Sequence, residues 1–216
     1  MLASISLDNL LDAFPKEFVH ISSQEQDLAI ALYRLLALNE PVTHQQLAEV
    51  TKIPLPNVNR YLGQWLGVIH DDTNRIIGFW GLGLTATTHK IVTDEHEFYA
   101  WCAWDTLFLP VLIGKTLQVS SRCAISGADI KLTINTERIE SLQPGATVLS
   151  FVQPNAQGIR TDIVSNFCHS VLYFASAALG EQWVAQHPGS FLLSVEEAFN
   201  LAKKLNARKF PDLRTI

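Results

Sequence analysis

LQVSSRCAISGADIKLTIN, residues 117–135, alternates apolar and polar side chains on either side of a Ser126-Gly127 turn. Leu117, Val119, Ser121 and Cys123 share one face while Gln118, Ser120 and Arg122 take the other, and beyond the turn Ile130, Leu132 and Ile134 alternate with Lys131, Thr133 and Asn135. Successive side chains of a strand point to opposite faces, so this period of two predicts an antiparallel hairpin with one buried face. Downstream, Val148 to Val152 and Phe167 to Phe174 are apolar runs of strand length, separated by a polar loop around Pro154 to Asp162. Ala177 to His187 reads as a helix stopped by Pro188-Gly189, and Ser194 with Glu197 caps a last helix through Leu205.

Upstream the period changes to that of a helix. Ser22 or Ser23 followed by Glu25 or Gln26 is a capping-box pattern, and Leu28, Ala31, Leu32, Leu35 and Leu36 recur at helical spacing behind it. Thr43 with Gln46 repeats the pattern before Leu47, Ala48 and Val50, and Pro54 and Pro56 start a third helix carrying Val58, Tyr61, Leu62 and Trp65. Val68 to Leu84 then reads as a hairpin turning at Asp71 to Asn74. The expectation is an α+β chain: a winged helix-turn-helix-like helical domain over residues 1–90, then a domain of antiparallel sheet with flanking helices over residues 91–216.

The 216 residues carry a net charge of −5, with 48% apolar and 17% charged side chains, the profile of a globular protein with a substantial core. Over residues 1–90, six Lys/Arg stand against nine Asp/Glu, and the third helix offers one cation, Arg60. Phosphate neutralisation supplies most of the affinity of DNA binders, so DNA binding is not expected despite the helix-turn-helix outline. Met1 to His20 contains Asp8, Asp12 and Glu17 and lacks the basic-then-apolar order of a secretory signal, so a cytoplasmic location is expected. The most apolar stretch, Tyr99 to Gly114, is broken by Asp105 and Pro110 and is too short for a membrane helix; it reads as core.

Three cysteines, Cys102, Cys123 and Cys168, are too few and too widely spaced for a disulfide framework or a zinc set, and free thiols are expected. Cys102 and Asp105 lie three apart and share a face if their segment is helical, which projects a thiol and a carboxylic acid together into apolar surroundings. Cys168 lies on the strand face expected to hold Ser170, Leu172 and Phe174, with His169 on the opposite face. A buried cysteine is commonly a small hydrophobe, and from the residues alone the core reading stands beside the chemical one. No Gly-rich phosphate loop, paired zinc motif or nucleophile elbow occurs.

At these residues the chain resembles the organomercurial (alkylmercury) lyases. The resemblance runs from about residue 28 to the SVEEAF segment at 194–199 and is densest over YAWCAWDTLFLPVLIGKT (99–116), VSSRC (119–123) and FCHSVLYFAS (167–176). It implies that Cys102 and Cys168 are the mercury-binding cysteines, Asp105 the acid and Cys123 a structural cysteine. It further implies that residues 91–216 are the catalytic domain, with no organic cofactor, an external thiol as co-substrate and Hg²⁺ as bound product. The implied partners are an organomercurial substrate, low-molecular-weight thiols and a mercuric reductase as Hg²⁺ acceptor. Two departures stand out: Cys168 is followed by His169 and Ser170 rather than by a second cysteine, and Trp104 stands where a smaller apolar residue is expected, narrowing the pocket.

The residue types suit that chemistry. Thiolates are soft donors, and mercury(II) is softer than the zinc or copper(I) such ligands ordinarily hold. One thiolate captures R–Hg⁺, a second weakens the metal–carbon bond, and a carboxylic acid kept protonated by an apolar pocket supplies the proton that carbon needs. The rival reading of the same residues is a mercury- or copper-binding transcriptional sensor that cleaves nothing.

Overall fold

The computed structural model describes residues 7–213, so the first six residues of the leader reading lie outside it. The helices α1 (Leu7–Asp12) and α2 (Lys16–Val19) open the described chain, followed by α3 (Ser23–Leu36), α4 (His44–Thr51) and α5 (Leu55–Gln64). Strands β1 (Val68–His70), β2 (Ile76–Phe79), β3 (Leu82–Gly83), β4 (His89–Val92) and β5 (Glu97–Ala100) lead to α6 (Asp105–Ile113). Then come β6 (Leu117–Arg122), β7 (Asp129–Ile134), β8 (Ile139–Gln143) and β9 (Val148–Val152), followed by α7 (Ala156–Thr161) and α8 (Ile163–Asn166). A 3₁₀ turn at Cys168–Ser170, β10 (Tyr173–Phe174), α9 (Ala177–Val184), β11 (Ser190–Ser194) and α10 (Val195–Lys209) complete it.

This is the expected mixture of helices and antiparallel sheet. The larger sheet has eight strands in the order β1-β2-β3-β5-β4-β6-β7-β8, and the smaller has the order β10-β9-β11. The alternation at 117–135 is realised as β6 against β7, with Leu117 opposite Ile134 and Val119 opposite Leu132, and with Gln118, Ser120 and Arg122 exposed. Ser22, Thr43 and Ser194 each close a complete capping box, because the residue three places on carries the carboxylate or amide that reaches back to the cap N–H. The hairpin at Val68–Leu84 is present as β1 and β2, with the Asp71 carboxylate accepting from the N–H groups of Thr73 and Arg75 in the turn.

Helix α6 is apolar all round, so it cannot lie on a surface. It packs against α10 and α3, and eight of its nine residues are buried. No helix among the described residues is long and apolar enough to cross a membrane.

Four local readings need correction. Phe167–Phe174 is not one strand: Cys168–Ser170 forms a tight turn and pairing resumes only at Tyr173, opposite Leu149. The Ser150 side chain takes over part of the ladder, its Oγ accepting from the Leu172 N–H at 3.0 Å and donating to the Ser170 carbonyl at 2.8 Å. The stretch 154–162 is not a plain loop, because Asn155 and Asp162 are the caps of α7 and α8; the residues that favour turns are also the ones that cap helices. The helix from Ala177 stops at Val184 rather than His187, and the last one runs on to Lys209 rather than Leu205. The short α1 and α2 have too few turns for periodicity to reveal them.

Candidate active site

After β5 the chain turns through Trp101–Trp104, and Asp105 is the first residue of α6. Its carboxylate reaches back to accept from the Cys102 N–H at 2.8 Å, which fixes the carboxylate beside that residue's thiol. The neighbouring Ala103 N–H donates to the Val171 carbonyl at 3.1 Å, tying this turn to the one that carries Cys168. Thr106 strengthens the joint. Its hydroxyl donates to the Ala103 carbonyl at 2.7 Å, so the Tyr173 hydroxyl, 2.8 Å away, is the donor to Thr106. The outcome is that the sulfurs of Cys102 and Cys168 and a carboxylate oxygen of Asp105 lie within 4.8 Å of one another, the one such three-donor group among the described residues.

These groups are sealed from water: exposure is 0% at Cys102, 3% at Cys168 and 5% at Asp105. Burial disfavours charge, and it pushes the Asp105 carboxyl up to about 7 although hydrogen bonds from Cys102 and the Trp101 backbone pull it down. Burial likewise raises the Cys102 thiol well above its ordinary value, helped by its contacts with Cys168 and Asp105. At Cys168 the hydrogen bond with Cys102 pulls downward, but burial together with Asp105 and Asp162 outweighs it and the thiol is raised. Near neutrality the trio therefore holds neutral thiols beside a carboxyl group able to exist in either form.

The wall behind Asp105 comes from the chain before β3. Gly81 sits at φ +93°, and a Cβ there would fall 2.6 Å from the Asp105 carboxyl and 2.9 Å from the Phe108 ring. Only glycine allows this approach without strain. The preceding Trp80 carbonyl accepts from the Tyr33 hydroxyl of α3 at 2.9 Å, so a helix far away in sequence holds the turn that closes the site.

In front lies a cleft of about 540 Å³ lined by Cys168, His169, Leu172, Trp101, Ile69, Ile77 and His89 among others. Cys168 opens on it, and Cys102 lies behind Cys168. Trp101 forms one side, and Gly83 makes room for it, since a Cβ there would stand 2.8 Å from the Trp101 Nε1. His89 donates or accepts at 2.8 Å with Ser121 Oγ, and burial lowers its ring to about 4, so it is neutral at physiological pH. A larger cavity of about 840 Å³ beside α3 and the C-terminal segment holds no thiol.

The model of the alkylmercury lyase family matches residues 82–207 of this chain. An alkylmercury lyase of Staphylococcus epidermidis is 37% identical over 177 residues, covering 82% of this chain and 80% of that protein. One of Pseudomonas putida is 37% identical over 174 residues, covering 81% and 80%. The chain belongs to the alkylmercury lyase family. Among solved structures, the mercury-bound form of MerB2 superposes with a TM-score of 0.70 at 24% identity, covering 92% of this chain and 96% of that one, a likeness of fold.

As an alkylmercury lyase the chain is a carbon–mercury bond-cleaving enzyme, and the matched region contains all three cysteines and Asp105. Several expectations change in detail. Cys102 and Asp105 meet through a reach-back at a helix start, not by sharing a helix face. His169 does not face away from Cys168, because the turn places both on the same cleft. Trp104 does not narrow the pocket: it is 1% exposed, donates to the Ala198 carbonyl, and packs among Phe14, Phe108, Phe151 and Phe167 in the core. Cys123 lies just beyond β6, its sulfur accepts from the Ser126 N–H at 3.5 Å, and it is not one of the trio. Gly81, Trp101, His89 and Tyr33 escaped the sequence reading; the closely spaced Gly81 and Gly83 after Trp80 were the available signal.

Proposed function

We propose that Cys168 and Cys102 hold the mercury of an organomercurial and that Asp105 delivers the proton that releases the hydrocarbon. The observation that carries this reading is the trio itself: two soft donors and one acid within 4.8 Å in a sealed pocket. Cys168, at the cleft, exchanges with the carrier thiol of R–Hg–SR′, its own proton leaving on R′SH. Cys102 then passes its proton to the Asp105 carboxylate and joins mercury as the second thiolate. The added electron density weakens the carbon–mercury bond, Asp105 gives that proton to carbon, and RH departs, leaving Hg²⁺ on two thiolates and the carboxylate ready for another cycle. External thiols then lift Hg²⁺ away, and a mercuric reductase of the cytoplasm is the acceptor we expect. No resident metal or organic cofactor takes part.

The N-terminal helices, in this reading, shield the site rather than read DNA. Tyr33 and Trp80 support the wall behind Asp105, and excluding water keeps the carboxyl from being permanently ionised. The order of three helices and a hairpin is that of a winged helix, but residues 1–90 carry a net charge of −3. Purified protein incubated with phenylmercury and excess thiol is expected to release benzene and accumulate Hg²⁺. Tight mercury binding with no benzene above a thiol-only control would mark a binding protein instead.

A further inference from the structure

Away from the thiols, two imidazoles face each other across the N-terminal region. Val42 bridges to Ile76 of β2, which also pairs with His70 of β1, and the chain then enters α4 at His44. This places His44 Nε2 3.2 Å from His70 Nε2, with both rings half-buried. The other nitrogen of His44, Nδ1, lies 2.8 Å from Asn59 Oδ1 on α5. A carbonyl oxygen only accepts, so Nδ1 carries the proton and the Nε2 lone pair is directed at His70.

We propose that His44 and His70 form a second metal site, distinct from the thiols, which takes a divalent ion of the zinc, copper(II), cobalt or nickel class. Two features of the geometry support it. Imidazole–metal bonds of about 2.0–2.1 Å at tetrahedral or square-planar angles put adjacent ligand nitrogens roughly 2.9–3.4 Å apart, and the pair stands in that range. A carbonyl holding the far N–H of a ligand histidine is the usual orienting partner in such sites. Binding needs only that the His70 proton move from Nε2 to Nδ1. Asp71 is not the third ligand, since its carboxylate is taken by Thr73 and Arg75; water completes the shell.

The site also selects against the enzyme's substrate metal. Mercury(II) favours two donors on opposite sides, which at similar bond lengths must stand roughly 4 Å apart, whereas these two are set for adjacent positions. A bound ion would clamp α4 and, through Asn59, α5 onto the β1 hairpin.

The test uses Co²⁺ with the full-length chain, in wild type and in a Cys102→Ser/Cys168→Ser background. The expected result is the weak visible spectrum of nitrogen and oxygen ligation, persisting in the double-serine chain and free of the intense near-ultraviolet band of cobalt thiolate. His44→Gln and His70→Gln should each weaken Co²⁺ binding at least about tenfold, and Asn59→Leu, at an exposed position, about 10–100-fold, all with unchanged organomercurial turnover in metal-free buffer. Zn²⁺ should raise the melting temperature of wild type and not of the histidine variants. A thiolate-dominated spectrum that disappears in the double-serine chain, absence of binding, or affinity unchanged by both histidine substitutions would overturn the proposal. Should a histidine variant fail to fold, the wild-type spectrum and Asn59→Leu decide.

Discussion

Asp105 and Lys209 are both ionisable, both sealed from water, and neither faces an opposite charge among the described residues. Their surroundings differ. Asp105 touches a thiol through its carboxylate and has a second thiol within reach, so a proton raised onto it has somewhere to go. Lys209, at the end of α10, points its ammonium at aromatic rings, 3.1 Å from the centre of Trp80 and 4.0 Å from that of Phe18. Burial lowers Lys209 well below the usual amine value, but its neighbours neither give nor take protons. Burial alone perturbs a group; chemistry needs an exchange partner and a path for substrate, and in the proposed reading Asp105 has both through its neighbours Cys102 and Cys168.

The largest test of that contrast removes the exchange partners. Cys102→Ser and Cys168→Ser should each reduce hydrocarbon release to the thiol-only background with the circular dichroism spectrum preserved, because a hydroxyl is too hard and too weakly acidic to replace a thiolate on mercury. Retained turnover in either variant would break the assignment.

Asp105→Asn keeps the shape and removes the proton, and should lower turnover by about 10²–10⁴-fold, the usual range for a general acid. It should also change the pH dependence of stability. The folded carboxyl titrates near 7 against an ordinary value of 3.8, so its contribution is fully present below about pH 4 and is lost as pH rises through 7. Urea melts of wild type should therefore lose up to about 1.4 kcal/mol per pH unit across that window relative to Asp105→Asn. Parallel profiles for the two proteins would show that the Asp105 carboxyl is not raised in the folded chain.

Lys209→Met should leave turnover within about twofold, since no proton passes through the amine. A lysine lowered in the folded state loses stability as pH falls below its unfolded value, so the methionine variant should gain more over wild type at pH 7 than at pH 10. A collapse of activity in a folded Lys209→Met chain would erase the contrast. The smallest effect belongs to Cys123→Ser, where the hydroxyl can still accept the Ser126 N–H: full turnover, with a melting temperature lowered by about 2–4 °C.

The fold was legible where sequence and structure share a strict period. The β6–β7 hairpin and the three capping boxes are local patterns with one physical solution, and they appear where the residues put them. The run at 167–174 was not legible, because its apolar residues lie on both sides of exposed His169 with no strict period to read, and what bends it is a hydroxyl, Ser150, distant in sequence. The site divides in the same way. Cys102, Asp105 and Cys168 are visible by residue type and family resemblance, whereas Gly81 behind the carboxyl and Tyr33 behind Gly81 act through contacts that only the folded chain creates.

One thiol borders the cleft and the other does not, so the cleft reaches the trio at Cys168. In the proposed cycle the hydrocarbon and the metal both leave past Cys168, the way the substrate arrived, so Hg²⁺ held there stands in the way of the next substrate. In that proposed cycle the surrounding thiols empty the site, so their concentration should enter the turnover rate beside the speed of bond breaking inside.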